Sequence, residues 1–154
     1  SMAMKPFCGY NFADYFAHWL SFDKPGAKLP RIFHVNWFRK DADGRFMWPG
    51  YGENLRVLDW MIQRVEGLAK GVDTPIGTVP AKGELHTDGL SLTPGTLEEL
   101  LRVDVAGWQE ELRAIGLYLD GFGERMPERL KAERERVSKA LDAAFAGKRA
   151  AHVA

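Results

Sequence analysis

The sequence predicts an α/β fold, rich in helix with few strands, and three observations carry that expectation. Apolar residues recur at helical spacing in five separate stretches, one run from Arg31 to Trp37 is β-branched and aromatic instead, and glycine and proline punctuate the ground between. With 154 residues, 45% of them hydrophobic and 27% charged, the chain resembles an ordinary soluble globular piece with enough length for one core. Twenty-one basic residues balance 21 acidic ones, so no broad field draws in nucleic acid or an anionic membrane. No apolar run approaches the ~20 residues of a membrane span, and no signal-peptide pattern opens the chain. The one cysteine, Cys8, has no partner for an internal disulfide, which fits a reducing, cytoplasmic setting. It stands in an aromatic stretch and reads as a small buried hydrophobe.

The first helix is expected from about Asn11 to Ser21. Asn11 is a good N-cap, Asp14 suits the positive end of the helix dipole, and Phe12, Tyr15, Phe16 and Trp19 share one face. His18 lies off that face and reads as solvated, since no second His, Cys or Asp stands at metal spacing. Pro25, Gly26 and Pro30 make 23–30 a turn. Arg31 to Trp37 reads as a strand with bulk on both faces, hence buried on both sides with His34 inside as a structural histidine. Asp41 to Gly44 reads as a hairpin turn, because a calcium loop would need a glutamate further on at fixed spacing.

A second helix is expected from about Glu53 to Glu66, with Leu55, Leu58, Ile62 and Val65 on its buried stripe and Asn54 in its first turn. Residues 67–92 hold five glycines and two prolines and read as extended segments and turns. Leu85-His86-Thr87-Asp88 within them offers a neighbouring His and Asp but no nucleophile, so it makes no triad. Three helices close the chain, a helical tail over about 93–146. One is capped by Thr93 and starts at Pro94; one is capped by Asp104 and carries Trp108, Leu112, Ile115 and Leu119; one is opened by Pro127 with Leu130, Val137, Leu141 and Phe145 inward. The charge run 128–136 reads as a solvated face laced by weak pairs. The last residues, from Ala146 on, are expected to fray.

The segment 36–54, N-W-F-R-K-D-A-D-G-R-F-M-W-P-G-Y-G-E-N, is the most informative. It packs five aromatics (Trp37, Phe38, Phe46, Trp48, Tyr51) and three glycines into a stretch without sustained period. Rings converging near the Asn54 amide would suit a flat heteroaromatic such as a nucleobase, stacked on its faces and read at its edge. The rival reading is an aromatic loop that merely caps a core.

Three stretches shift the balance between them. K-P-F-C-G-Y-N-F-A-D-Y-F-A-H-W-L (Lys5 to Leu20), K-L-P-R-I-F-H-V-N-W-F-R-K-D (Lys28 to Asp41) and G-R-F-M-W-P-G-Y-G-E-N-L-R-V-L-D-W (Gly44 to Trp60) resemble the C-terminal part of GTP-dependent phosphoenolpyruvate carboxykinase. The likeness is dense from about Met4 to Glu66, continues in T-P-I-G-T-V-P (Thr74 to Pro80) and loosens in the helical tail. It implies a nucleotide-binding domain in which three rings sandwich the guanine of GTP and an asparagine closes on the base edge. By motif position these are Phe38, Phe46, Tyr51 and Asn54, with Trp37 beside them; many relatives carry phenylalanine where Tyr51 stands. Phe7 is implied to reach the substrate side of the cleft.

The resemblance further implies a gluconeogenic, cytoplasmic enzyme, a decarboxylating lyase that turns oxaloacetate and GTP into phosphoenolpyruvate, carbon dioxide and GDP with manganese or magnesium. The family's phosphate loop, metal ligands and carboxylate-binding arginines are implied to lie upstream, and no G-x-x-x-x-G-K-[ST] occurs in these residues. The chain thus reads as roughly the last quarter of such an enzyme, inactive alone, with no catalytic residue and no metal ligand of its own. Its expected partners are GTP and the remainder of the enzyme. The alternative is a non-catalytic helical scaffold that self-associates and binds no nucleotide.

Overall fold

A computed structural model describes residues 4–151, with side chains placed as far as residue 146. Its elements in chain order are α1 (Phe12–Leu20), α2 (Asn54–Glu66), β1 (Gly71–Thr74), β2 (Gly77–Pro80), α3 (Thr96–Leu101), α4 (Val105–Asp120) and α5 (Glu128–Ala151). Helix dominates, and β1 and β2 form one two-stranded antiparallel sheet in which Val72 faces Val79. The chain divides into two compact units, residues 1–30 with 104–154, and residues 31–103. Where the composition suggested one core, the buried side chains form two clusters.

In the first unit Asn11 caps α1 as expected, its Oδ1 accepting from the Ala13 N–H at 2.9 Å. The Asn11 amide also donates to the Phe122 carbonyl at 3.3 Å, so one side chain both starts α1 and docks it. Phe12 and Phe16 meet Phe122 with ring centroids 6.0 Å apart, while Trp19 at the end of the aromatic face stays exposed. The ion pairs Asp14–Arg125 (2.9 Å) and Asp23–Arg129 (2.6 Å) ring this contact. Helices α4 and α5 pack against each other, and the Gln109 amide at the start of α4 donates to Asp142 late in α5, so the two run antiparallel.

Several expectations for this unit hold and some shift. Leu112 and Leu119 are buried, and the pairs Glu128–Lys131 and Glu133–Arg136 lace the charged face of α5. His18 is exposed, with its ring edge-on to Phe22. Asp104 precedes α4 but its side chain makes no capping bond. Phe145, expected inward, is about half exposed, and α5 continues through Ala151 rather than loosening at Ala146; the final three residues lie outside the described ones. Cys8 is half-buried rather than buried, its thiol donating to the Tyr10 carbonyl at 3.6 Å.

In the second unit Trp48, Trp60, Ala69 and Leu85 form the core, with Phe33, Trp37, Val57 and Met61 against it. The expected strand at 31–37 is absent: 31–36 has no regular structure, and Trp37 and Phe38 lie in a turn. A strand needs a partner edge, and among the described residues the only ladder is β1–β2, with a single bridge Lys40–Phe46. Asn36 instead folds the chain over, its Oδ1 accepting from the Phe38 N–H at 3.0 Å. His34, expected inside, is exposed, as is Ile32.

The face of α2 is reversed. Trp60 is its buried residue, with Val57 and Met61 packed beside it, whereas Leu55, Leu58, Ile62 and Val65 point away from the core. Both sets satisfy a helical repeat, and the larger indole decides which turns inward. Its Nε1 also finds an acceptor in the Lys70 carbonyl at 3.3 Å. Helix α3 begins two residues later than expected, because Thr93 and Pro94 close a turn and Gly95, at φ +82°, is left-handed. Asp41–Gly44 is the hairpin turn expected of it.

These two faces of α2 separate in a stability measurement. Trp60→Ala is expected to cost about 3–5 kcal/mol through the cavity it leaves. Ile62→Lys, on the outward face, should change the unfolding free energy of the monomer, measured at a concentration too low for association, by no more than about 0.5 kcal/mol. Urea melts reversing that order would restore the stripe inferred from sequence.

Candidate functional site

The aromatic segment 36–54 folds as a short hairpin followed by a turn into α2. The Met47 N–H donates to the Arg39 carbonyl (3.0 Å) and the Asp41 N–H to the Arg45 carbonyl (2.9 Å), which brings the two arms together. Phe38 and Phe46 then face each other edge to face, ring centroids 6.0 Å apart. The Lys40 ammonium lies 5.0 Å from the Phe46 ring centre, a cation–π contact. Gly50, at φ +126°, turns the backbone as only glycine does readily, and Tyr51–Glu53 winds one 3-10 turn before α2.

The rings of this segment divide into two populations. Trp48 is 6% exposed and Trp37 leans on it, centroids 6.3 Å apart, so both indoles belong to the core. Phe38 (73%), Phe46 (59%) and Tyr51 (92%) are turned to solvent. The structure therefore brings Phe38 and Phe46 together, while Tyr51 makes no ring contact among the described residues. Asn54 begins α2, half-buried, and its Oδ1 accepts from the Trp48 indole Nε1 at 2.9 Å. Phe7 belongs to the other unit and is exposed.

Two further residues set this geometry: one was not singled out from sequence, and the other was named there only among the aromatics of the loop. Arg39, half-buried, donates to the carbonyls of Leu100 (3.0 Å) and Arg102 (3.3 Å) and pairs with Glu99 at 3.2 Å. It thereby satisfies the open carbonyl end of α3 and pins the hairpin one residue after Phe38. Trp48 is the second. The only signal for it was generic: a buried indole N–H must find an acceptor, and nothing in the spacing of Trp48 and Asn54 says which. At the start of α2, Arg56 pairs with Glu53 (2.6 Å) and donates to the His86 carbonyl, tying the turn to the loop at 85–88.

Electrostatics here are local. Hydrogen bonds from the Arg45 backbone, then its side chain, and from the Asp43 backbone hold the Asp41 carboxyl below its ordinary range. The Arg102 guanidinium, then Arg39, does the same for Glu99. His86 lies 3.4 Å from Asp88 with both exposed, and no nucleophile joins them. Clefts of about 460 Å³ between Pro80–Leu85 and α3, and of about 440 Å³ beside Leu55, Ile62 and His86, are lined by other residues than the rings. Among the described residues no group of three His, Cys, Asp or Glu side chains could hold a metal, and no helix is long and apolar enough to cross a membrane.

Comparison with known proteins bears out the family resemblance. Residues 1–140 match the model of the phosphoenolpyruvate carboxykinase C-terminal P-loop domain. The chain is 54% identical over 148 residues to the phosphoenolpyruvate carboxykinase [GTP] of Neocallimastix frontalis, covering 93% of this chain and 24% of that protein. It is 51% identical over 140 residues to the Chlamydia trachomatis protein of the same name (90% and 23%) and 48% over 132 residues to that of Treponema pallidum (84% and 21%). The chain thus spans about a quarter of the length of these relatives.

Because the folded pKa values of Asp41 and Glu99 are depressed, their contribution to hairpin order is full above the unfolded values and is lost as pH falls through the folded ones. Below about pH 4 the hairpin is expected to loosen before the indole core does. Amide exchange at Arg45 should quicken on acidification while the Trp48 indole stays protected. Simultaneous loss of both would show that the turn and the core are one cooperative unit.

Proposed function

We propose that this chain, which belongs to the GTP-dependent phosphoenolpyruvate carboxykinase family, supplies the guanine-binding part of an enzyme that converts oxaloacetate and GTP into phosphoenolpyruvate, carbon dioxide and GDP. The single observation that carries the reading is the outward placement of Phe38 and Phe46. The core of this unit is filled by indoles, yet two phenyl rings stay together in solvent at a hairpin clamped by Arg39. Apolar rings held exposed at a rigid position suit stacking on a flat base. Tyr51 supplies a third ring and Asn54 the polar contact to the base edge, while Trp37 backs the hairpin from within.

Holding the base orients the triphosphate. Decarboxylation of oxaloacetate leaves an enolate whose oxygen takes the γ-phosphoryl group, and such transfers depend on positioning and charge neutralisation. No residue of this chain is assigned to that chemistry. Manganese or magnesium, which the family resemblance implies, would stabilise charge on the phosphates from ligands other than the described residues. By the same resemblance Phe7 serves the substrate side and the setting is cytoplasmic.

A second role rests on the outward stripe of α2. Leu55, Leu58, Ile62 and Val65 present an apolar face that the described residues leave open. In the whole enzyme this face is taken to meet further polypeptide, and in the isolated chain a second copy. Sedimentation at micromolar concentration is expected to show association that Ile62→Lys abolishes; a concentration-independent monomer would remove this role.

A titration of the purified chain with GTP and ATP, followed by tryptophan fluorescence, tests the principal reading. A response to GTP well before ATP is expected, and silence to both would leave only the scaffold. Phe38→Ala and Phe46→Ala should each weaken GTP by ~1–3 kcal/mol through lost stacking, whereas Tyr51→Phe should be nearly neutral. Asn54→Ala should erode the preference over ATP. Carboxykinase turnover by the chain alone is expected to be nil in a coupled assay, and measurable turnover would place catalytic groups within these residues.

A further inference from the structure

We infer that Trp48 is a positioning residue that sets the base specificity of the Asn54 amide, selecting purines with a 6-oxo group over those with a 6-amino group; this rests on the guanine-site reading above. An asparagine amide offers one acceptor and two donor hydrogens, and a half-turn about its terminal bond exchanges them. Left alone, Asn54 would serve either purine, donating to a 6-oxo group or accepting from a 6-amino group. The indole N–H of Trp48 is a donor only, so the Asn54 atom 2.9 Å from it must be the carbonyl oxygen. Trp48 is 6% exposed and packed among Trp60, Ala69 and Leu85, so the donor does not turn away.

With its carbonyl turned to the indole, Asn54 holds its NH2 group on the opposite side of the amide, as the group it presents away from Trp48. Among the described residues no protein acceptor is recorded for that group. It suits the 6-oxo acceptor of guanine or hypoxanthine. Against the 6-amino group of adenine it sets donor against donor, which leaves a polar group unpaired and costs affinity. The selectivity of an exposed amide is thus fixed from inside the core, by a side chain that never touches the base.

The rings and the turn deliver the edge to this amide. Asn54 follows the 3-10 turn whose geometry Gly50 permits, and its own N–H donates to the Tyr51 carbonyl, which holds its backbone at the mouth of α2. Rotation about the terminal bond is therefore the remaining freedom that decides donor or acceptor, and the indole removes it.

Competition binding to the 154-residue chain tests this, using GTP, ITP, ATP and the triphosphate of 2-aminopurine riboside. In the unaltered chain ITP should track GTP, since both carry the 6-oxo group, and 2-aminopurine should fall with ATP. Trp48→Phe keeps an aromatic ring in the core, removes the donor and gives up some buried volume. It should lower the GTP-to-ATP affinity ratio by about tenfold or more, with ITP falling alongside GTP and ATP unchanged or improved. A merely structural role would instead weaken all four nucleotides equally, and that result overturns the inference. If the unaltered chain shows no guanine preference, the underlying site reading falls and takes this inference with it. A preserved wild-type preference with an unchanged ratio in Trp48→Phe defeats the inference alone.

Discussion

Burial of two indoles, Trp48 and Trp60, is the constraint on which the second unit depends. Trp60 draws α2 onto the segment at 67–70 and spends its N–H on the Lys70 carbonyl. Trp48 comes from the hairpin arm and spends its N–H on Asn54, at the first turn of the same helix. The core therefore joins the aromatic segment to α2 through one hydrophobic cluster and one directed hydrogen bond. Each indole buries a large apolar area, and each would cost stability were its N–H left without an acceptor. With the tryptophans committed inward, Phe38, Phe46 and Tyr51 are left for solvent or a ligand.

Arg39 supplies what burial does not. A two-residue bridge between Lys40 and Phe46 is too little ladder to hold a hairpin in water. The guanidinium closes the carbonyl end of α3 and meets Glu99, which converts a marginal hairpin into a braced one. Charge-assisted bonds of this kind are directional, so they locate the Phe38 backbone as well as retain it. The rings project from a platform whose lower side is apolar and whose far end is ionic.

What sequence discloses here follows the range of the interaction. Local chemistry is legible: Asn11 announces α1, Asp41 to Gly44 announces a hairpin turn, and both act through bonds a few residues long. The strand expected at 31–37 fails because β structure needs an edge from elsewhere, and the capping habit of Asn36 wins locally. The inward face of α2 fails for a different reason. Leu55, Leu58, Ile62 and Val65 satisfy a helical repeat as well as Val57, Trp60 and Met61 do, and periodicity ranks neither. Of the proposed site, the composition of the loop is legible and its division is not. Nothing in the order W-F…F-M-W-P-G-Y says which rings turn inward, nor that a tryptophan six residues upstream engages the Asn54 amide.

That α2 is apolar on two faces bears on function as well as folding. A helix covered on one side by its own unit and left open on the other is suited to sit between layers, as helices in larger α/β domains do. The relatives are about four times as long as this chain, so the polypeptide able to form a second layer exists in them. Asn54 and the 3-10 turn stand at the N-terminal end of that same helix. Cover on the Leu55–Val65 face would restrain the whole helix and, through its first turn, the amide proposed to read the base. On this view nucleotide recognition and assembly with the rest of the enzyme share one rigid body, and the hairpin adds the rings. Removing the cover should relax α2 more than the hairpin, because Arg39 fastens the hairpin to α3 independently. Stacking would then suffer less than selectivity: a chain without cover should hold purines through Phe38 and Phe46 and still favour guanine through the Trp48–Asn54 bond, by a smaller margin than with the cover in place.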